Sequence, residues 1–198
     1  MINTYQIFSK ALNNDFCDHI INTGMLYPTQ DGGIGSVDNN TGENITQKNT
    51  SIRNSTIRWI DIYAHREINL ILNDYVNAVN SKLFGFDVSY GFNSLQFTEY
   101  DGNGEEKQFY NWHMDCLHDN AVFDRKLSVV VQLSDPEDYE GGVFEIDDVA
   151  RPYPLNTSLF QPRGSILIFP SYIKHRVLPV TKGVRKSLVT WYNGPKFS

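Results

Sequence analysis

From residue 92 to the end, the chain is a series of short apolar runs separated by turn chemistry, and this pattern limits the fold more than any other feature. The runs are "SLQFTEY", "FYNWHMD", "KLSVVVQL", "GGVFEI", "SILIFP" and "RKSLVTWYN", with Asp135-Pro136, Gly141-Gly142, Arg163-Gly164 and Lys182-Gly183 between them. Strands of this length at this spacing predict two facing sheets, as in a sandwich or barrel. The eleven tyrosines and twelve phenylalanines suit such a β-rich core. With 198 residues, a single domain is expected.

The first part of the chain differs. In "ALNNDFCDHIINTG", Leu12, Phe16 and Ile20 recur every four residues. That spacing predicts a helix capped by Asn13 or Asn14 and ended by Gly24. Residues 28–51 carry four glycines, no aromatics and three aliphatic residues, which predicts a long mobile loop. Such a loop is either a lid or binding loop, or plain surface disorder. "SIRNSTIRWIDIY" predicts a strand containing Ile57 and Trp59. Ile68, Leu72, Tyr75, Val79 and Leu83 then form the stripe of a second amphipathic helix. The expectation is thus an α+β, mainly β chain: residues 1–91 as helical and strand support, residues 92–198 as the β core.

A net charge of −6 argues against a general nucleic-acid binder, which needs a basic surface to displace counterions from phosphates. The opening "MINTYQIFSK" lacks the apolar core of a secretion signal, and no stretch reaches membrane-spanning length. Cys17 and Cys116 are too few for a disulfide framework. A cytoplasmic protein, bacterial or viral, with no membrane partner is expected; oligomeric state is not readable.

In an extended "YNWHMDC", His113 and Asp115 share a face while Trp112, Met114 and Cys116 point away. One imidazole and one carboxylate make two-thirds of the 2-His-1-carboxylate set suited to non-haem Fe(II). A third ligand has to come from a distant strand. Of the other histidines, His19 lies in the first helix, His65 precedes the second, and His118 sits in the polar stretch "LHDN". His175 follows the apolar run "SILIFP" and is the best placed. In "VRKSLVTWYN", Arg185, Ser187, Val189 and Trp191 share a strand face. A cation in a core-facing row is costly unless paired. Either it awaits a carboxylate ligand, for which a guanidinium with a nearby hydroxyl is well suited, or it forms a salt bridge with Glu145 or Glu99.

The order His113-x-Asp115, His175, Arg185, with the flanks "YQIFSKALNNDFCDHII", "LQFTEYDGNGEEKQFYNWHMD", "YEGGVFEI" and "GSILIFPSYIKHRVLPVTKGVRKSLVTWY", resembles the Fe(II)/2-oxoglutarate-dependent dioxygenases. Within that family it resembles the prolyl 4-hydroxylase and PKHD-type branch. The resemblance implies a double-stranded β-helix (jelly roll). It implies Fe(II) held by His113, Asp115 and His175, 2-oxoglutarate held by Arg185 with help from Ser187 and Tyr100, O₂ as oxidant and ascorbate as reductant. Tyr110 and Trp191 match pocket-lining positions, though both can also be plain core aromatics, and Arg53 and Trp59 would border the substrate. "DGNGEEKQF" is longer than the corresponding turn in animal oxygen-sensing relatives, which loosens the placement of Tyr100 alone. The implied reaction hydroxylates a peptide or protein substrate, with proline favoured, while 2-oxoglutarate becomes succinate and CO₂. A small-molecule or amino-acid substrate, and a cupin-like metal enzyme without 2-oxoglutarate, are the alternatives.

Overall fold

The computed structural model describes residues 4–37, 44–89, 92–116, 122–147 and 157–197. Among them, one large sheet is backed by helices and faced by a smaller sheet, the jelly-roll arrangement expected. The large sheet runs in the order β1 (Gln6–Phe8), β12 (Ile166–Pro170), β9 (Asp124–Gln132), β14 (Val180–Gly194), β7 (Phe92–Asp101), β6 (Thr56–Ile60) and β2 (Gln30–Asp31), with β10 (Tyr139–Gly141) pairing the start of β14. The small sheet is β11 (Phe144–Ile146), β13 (His175–Val177), β8 (Phe109–His113) and β5 (Arg53–Asn54). Helices α1 (Asn14–Met25) and α2 (Arg66–Val79) lie on the outer face of the large sheet, and α3 (Thr157–Phe160) precedes β12.

Side-chain alternation divides the molecule into two interiors. Leu127, Val129 and Val131 of β9, Ile166 and Ile168 of β12, and Leu188 and Tyr192 of β14 pack with Ile20, Ile68, Leu72 and Val76 of the helices. The intervening residues Val130, Leu167 and Phe169 point the other way, toward Tyr100, Phe144 and Val177 between the sheets. Burying each aliphatic side chain contributes about 1.5–3 kcal/mol, so β9 is locked in register by both faces. The N-terminal strands are built into this frame: β1 pairs β12, β5 pairs β8 and β6 pairs β7.

Three local expectations are corrected. Helix α1 is capped by Asn13, whose side chain accepts from the Phe16 N–H, but it runs past Gly24 to Met25. Gly24 serves packing: a Cβ there would lie 2.6 Å from the Phe97 ring. Helix α2 stops at Val79, where a π turn over Asn80–Phe84 takes over, leaving Leu83 exposed and placing Val76 in the core. Gly85, at φ 68, closes that turn by donating to the Asn80 carbonyl.

The described part of residues 28–51 is not a structureless loop. β2 pairs β6, and β3 (Ile34–Val37) pairs β4 (Asn44–Gln47) as a separate hairpin. Backbone bonds and the Lys48–Asp31 ion pair at 2.7 Å hold the segment. Neither leaves a hydrophobic alternation for sequence reading to find. Residues 38–43, and His118, lie outside the described residues.

Candidate metal and cosubstrate site

The site opens on the inner face of the small sheet, where β8 ends and β13 begins. His113 and His175 are direct partners across the β8–β13 ladder. The strand ends at His113, so Asp115 reaches the same point through a turn rather than by strand alternation. The Asp115 and Cys116 N–H groups both donate to the Ser171 carbonyl, at 2.9 and 3.1 Å, and Ser171 N–H donates to Lys126 O at 3.0 Å. This folds the end of β8 onto the β12–β13 turn. The predicted convergence holds, for a different local reason.

The donor atoms of His113, Asp115 and His175 lie within 4.8 Å of one another. His113 Nε2 is 3.7 Å from Asp115 Oδ1, and His175 Nε2 is 3.5 Å from Oδ2. Each Nδ1 faces a backbone carbonyl, Asn111 O at 2.8 Å and Ile173 O at 3.0 Å. An N–H on Nδ1 leaves the Nε2 lone pair free to ligate. Ser128 Oγ donates to Asp115 Oδ2 at 2.7 Å and lies 2.9 Å from Ser171 Oγ. Tyr110 stacks on His113 with centroids 3.4 Å apart, while Phe144 and Phe169 enclose His175.

Burial, with the neighbouring His175, pushes the His113 imidazole down to about 3. Burial also opposes ionisation of Asp115, but the histidines, Arg125 and the Ser128 hydroxyl outweigh it and hold the carboxyl at about 2. Neutral imidazole nitrogen beside an ionised carboxylate is the state a divalent cation requires. The donor set and its second layer therefore fit a non-haem Fe(II) centre.

Arg185 lies opposite Tyr100 on the β14–β7 ladder, is 1% exposed, and holds its guanidinium 5.7 Å from the Tyr100 ring. Its Nη2 has no partner among the described residues. The two carboxylates that offered a salt bridge are engaged elsewhere: Glu145 with Arg176 at 2.6 Å, and Glu99 with Arg58. A buried guanidinium with an unused donor is set up for an incoming carboxylate. Gly142, at φ 59, lets the arginine stem pass, since a Cβ there would sit 2.9 Å from Arg185 Cδ. Ser187 is buried on the same face, and burial pushes the Tyr100 hydroxyl up, keeping it a donor.

The remaining predicted residues meet in pairs. Arg53 lies 4.5 Å from the Tyr110 ring, and donates from Nε to Ser55 Oγ at 2.9 Å and from Nη1 to Gly33 O at 3.0 Å. Trp59 and Trp191 approach with centroids 6.2 Å apart. Sequence reading missed Arg125, which sits 3.9 Å over the Trp191 ring. Its Nε, like Trp191 Nε1 and both amide atoms of Asn193, is buried without a partner. The signal was present: Arg125 opens the buried run of β9 just as Arg185 opens that of β14. Ser128 and Ser171 were also missed, because small hydroxyls in a strand and a turn carry no pattern.

The 2OG-Fe(II) oxygenase superfamily model matches residues 95–193, half of the chain. This chain belongs to that superfamily. A PKHD-type hydroxylase of Synechococcus sp. is 37% identical over 87 residues, 44% of this chain and 37% of the relative. The PKHD-type hydroxylase YbiX of Escherichia coli O6:K15:H31 is 30% identical over 125 residues, 60% of this chain and 52% of the relative. The chain thus spans about half, or less, of these curated relatives. Among solved structures, a prolyl hydroxylase in complex with a hypoxia inducible factor oxygen degradation domain peptide fragment, from Trichoplax adhaerens, superposes with a TM-score of 0.71 at 17% identity. That match covers 96% of this chain and 83% of the other, and it shows a shared fold. Among the described residues no helix is long and apolar enough to cross a membrane.

Proposed function

We propose that the chain is an Fe(II)- and 2-oxoglutarate-dependent hydroxylase acting on an extended peptide, with a prolyl residue as the favoured target. The observation that carries this reading is the buried Arg185, whose Nη2 has no partner among the described residues and which faces the same interior as a His113–Asp115–His175 donor set. A cupin-like metal enzyme without 2-oxoglutarate leaves that guanidinium with no reason to be there.

His113, Asp115 and His175 would hold Fe(II), which when bound supplies the redox chemistry coupling 2-oxoglutarate decarboxylation and O₂ to hydroxylation, with ascorbate as reductant. Asn111 and Ile173 carbonyls orient the two imidazoles, and Ser128 fixes the carboxylate. Arg185 would receive the far carboxylate of 2-oxoglutarate, with the Tyr100 and Ser187 hydroxyls as neighbouring donors. Phe144, Phe169 and Val177 keep water from the inner wall.

The peptide reading takes the arginine–aromatic pairs as the rim. Arg53 over Tyr110 on one side and Arg125 over Trp191 on the other offer flat, donor-bearing walls to an extended backbone. Arg53 also ties the approach to the β3–β4 hairpin to this wall through Gly33, which suits a lid. The PKHD-type relatives and the peptide-bound Trichoplax prolyl hydroxylase agree with this choice. The unpartnered Arg125 Nε favours a second reading, a free amino acid whose carboxylate it would take. Cys17 and Cys116 are not joined in a disulfide, which suits a reducing, cytoplasmic setting.

The test is succinate formation from 2-oxoglutarate with Fe(II) and ascorbate, with and without a proline-rich peptide. Peptide-stimulated succinate with the mass gain of one oxygen on the peptide is expected. Succinate unaffected by peptide but raised by free proline selects the second reading. No succinate with iron bound rejects both.

A further inference from the structure

A second group of metal-ligating side chains lies on the helical side of the large sheet, apart from the triad. His19 is in the middle of α1, Glu67 is in the first turn of α2, and His65 immediately precedes α2. Glu67 Oε1 is 2.9 Å from His19 Nε2 and 3.6 Å from His65 Nδ1, and the three donor atoms fall within 4.8 Å of one another. The matching separations in the triad are 3.5 and 3.7 Å. Tetrahedral ligands about 2.0–2.1 Å from a zinc-class ion stand about 3.3–3.4 Å apart. Side-chain rotations alone can therefore bring the outer group to bonding geometry.

Both imidazoles are held in place by neighbours. The Phe16 ring lies 5.8 Å from His19, and Tyr27 meets His65 edge-on at 6.1 Å. The backbone before α2 is fixed as well: His65 N–H donates to Asp61 O at 3.1 Å, and the Asp61 carboxylate accepts from the Tyr63 and Ala64 N–H groups. Glu67 brings the negative charge that offsets the positive N-terminal end of α2. The cluster is half open to water, with His19 and Glu67 side chains 45% and 48% exposed, so solvent can complete the coordination sphere.

We propose that His19, His65 and Glu67 form a second divalent metal site, of the zinc, nickel or copper class, that bridges α1 to α2. Two imidazoles and one carboxylate are the donor set for these ions, whose affinity for nitrogen ligands exceeds that of Fe(II). The site ties together the two helices that cover the outer core, so its effect is on stability rather than turnover.

The test is zinc uptake by the whole, metal-stripped chain, measured by calorimetry against a competing chelator. Wild type is compared with His19→Ala/His65→Ala and with Glu67→Gln, whose changes are near the surface and leave the triad intact. The histidine variant is expected to take up about one equivalent fewer than wild type, and Glu67→Gln to bind the outer ion more weakly. Zinc should raise the thermal midpoint of wild type more than that of either variant, while 2-oxoglutarate turnover with Fe(II) stays unchanged. Equal uptake by wild type and the histidine variant overturns the site. Uptake of one equivalent by wild type and none by the histidine variant supports it while rejecting the triad assignment, so the two readings fail separately.

Discussion

Replacing Arg185 with Met separates ligand binding from folding, because the two effects have opposite signs. Arg185 is 1% exposed, its Nη2 lacks a partner among the described residues, and the carboxylates Glu145 and Glu99 are committed to Arg176 and Arg58. Met is unbranched like the arginine stem, though shorter than the whole side chain, and removes the charge. Replacing buried ionic groups with apolar ones of similar volume is often neutral or stabilising, by about 1–4 kcal/mol. For a chain of this size each kcal/mol raises the thermal midpoint by about 2–4 °C. Binding responds the other way. Two charge-assisted hydrogen bonds to a carboxylate are worth about 1.5–3 kcal/mol each, so their loss weakens 2-oxoglutarate binding roughly 100- to 10,000-fold. The assays are thermal unfolding without cosubstrate, and 2-oxoglutarate affinity by calorimetry with KM from succinate formation. A variant less stable than wild type by more than about 2 kcal/mol would mean that Arg185 already has an anionic partner. A 2-oxoglutarate affinity within about threefold of wild type would remove the cosubstrate role.

Three further outcomes follow from the same geometry. Ser128→Ala removes the hydroxyl on Asp115 Oδ2 and should lower iron affinity by about 10–100-fold, read by iron titration; unchanged affinity would show that Ser128 does not orient the carboxylate. Acid should destabilise the metal-free protein: His113 stays neutral to about 3 against an ordinary 6.5, and Asp115 stays ionised to about 2 against 3.8. The unfolded chain then takes up protons that the folded chain refuses, so stability falls as pH drops from 6.5 toward 3, with a further loss between 3.8 and 2. Urea midpoints at several pH values in chelator check this, and His113→Asn should flatten the upper part of the curve; a midpoint that rises on acidification contradicts the sign. Deleting residues 32–48 should abolish peptide hydroxylation while leaving uncoupled succinate formation, since among the described residues β3 and β4 pair only with each other; full peptide turnover would end the lid reading.

The sequence by itself determined the β core, the two helices and the chemistry-bearing residues. Period-2 alternation in β9 and β14, and the apolar stripe from Ile68 to Val79, are local signals that survive folding because each element must bury one face. His113, Asp115, His175 and Arg185 were legible because charged and ligating residues are conspicuous inside apolar runs. Only tertiary structure decided where those elements end and whom each charge meets. Gly24 lies inside its helix where Phe97 needs the space, and residues 30–31, 34–37 and 44–47 form paired strands because β6 and the backbones of β3 and β4 supply bonds that no side-chain pattern announces. Asp115 reaches the histidines through the Ser171 carbonyl, Glu145 and Glu99 pair with other arginines, and Arg125 lies over Trp191. These outcomes are set by contacts between residues distant in sequence, where pairing depends on which side chains the sheets bring within a few ångströms of each other.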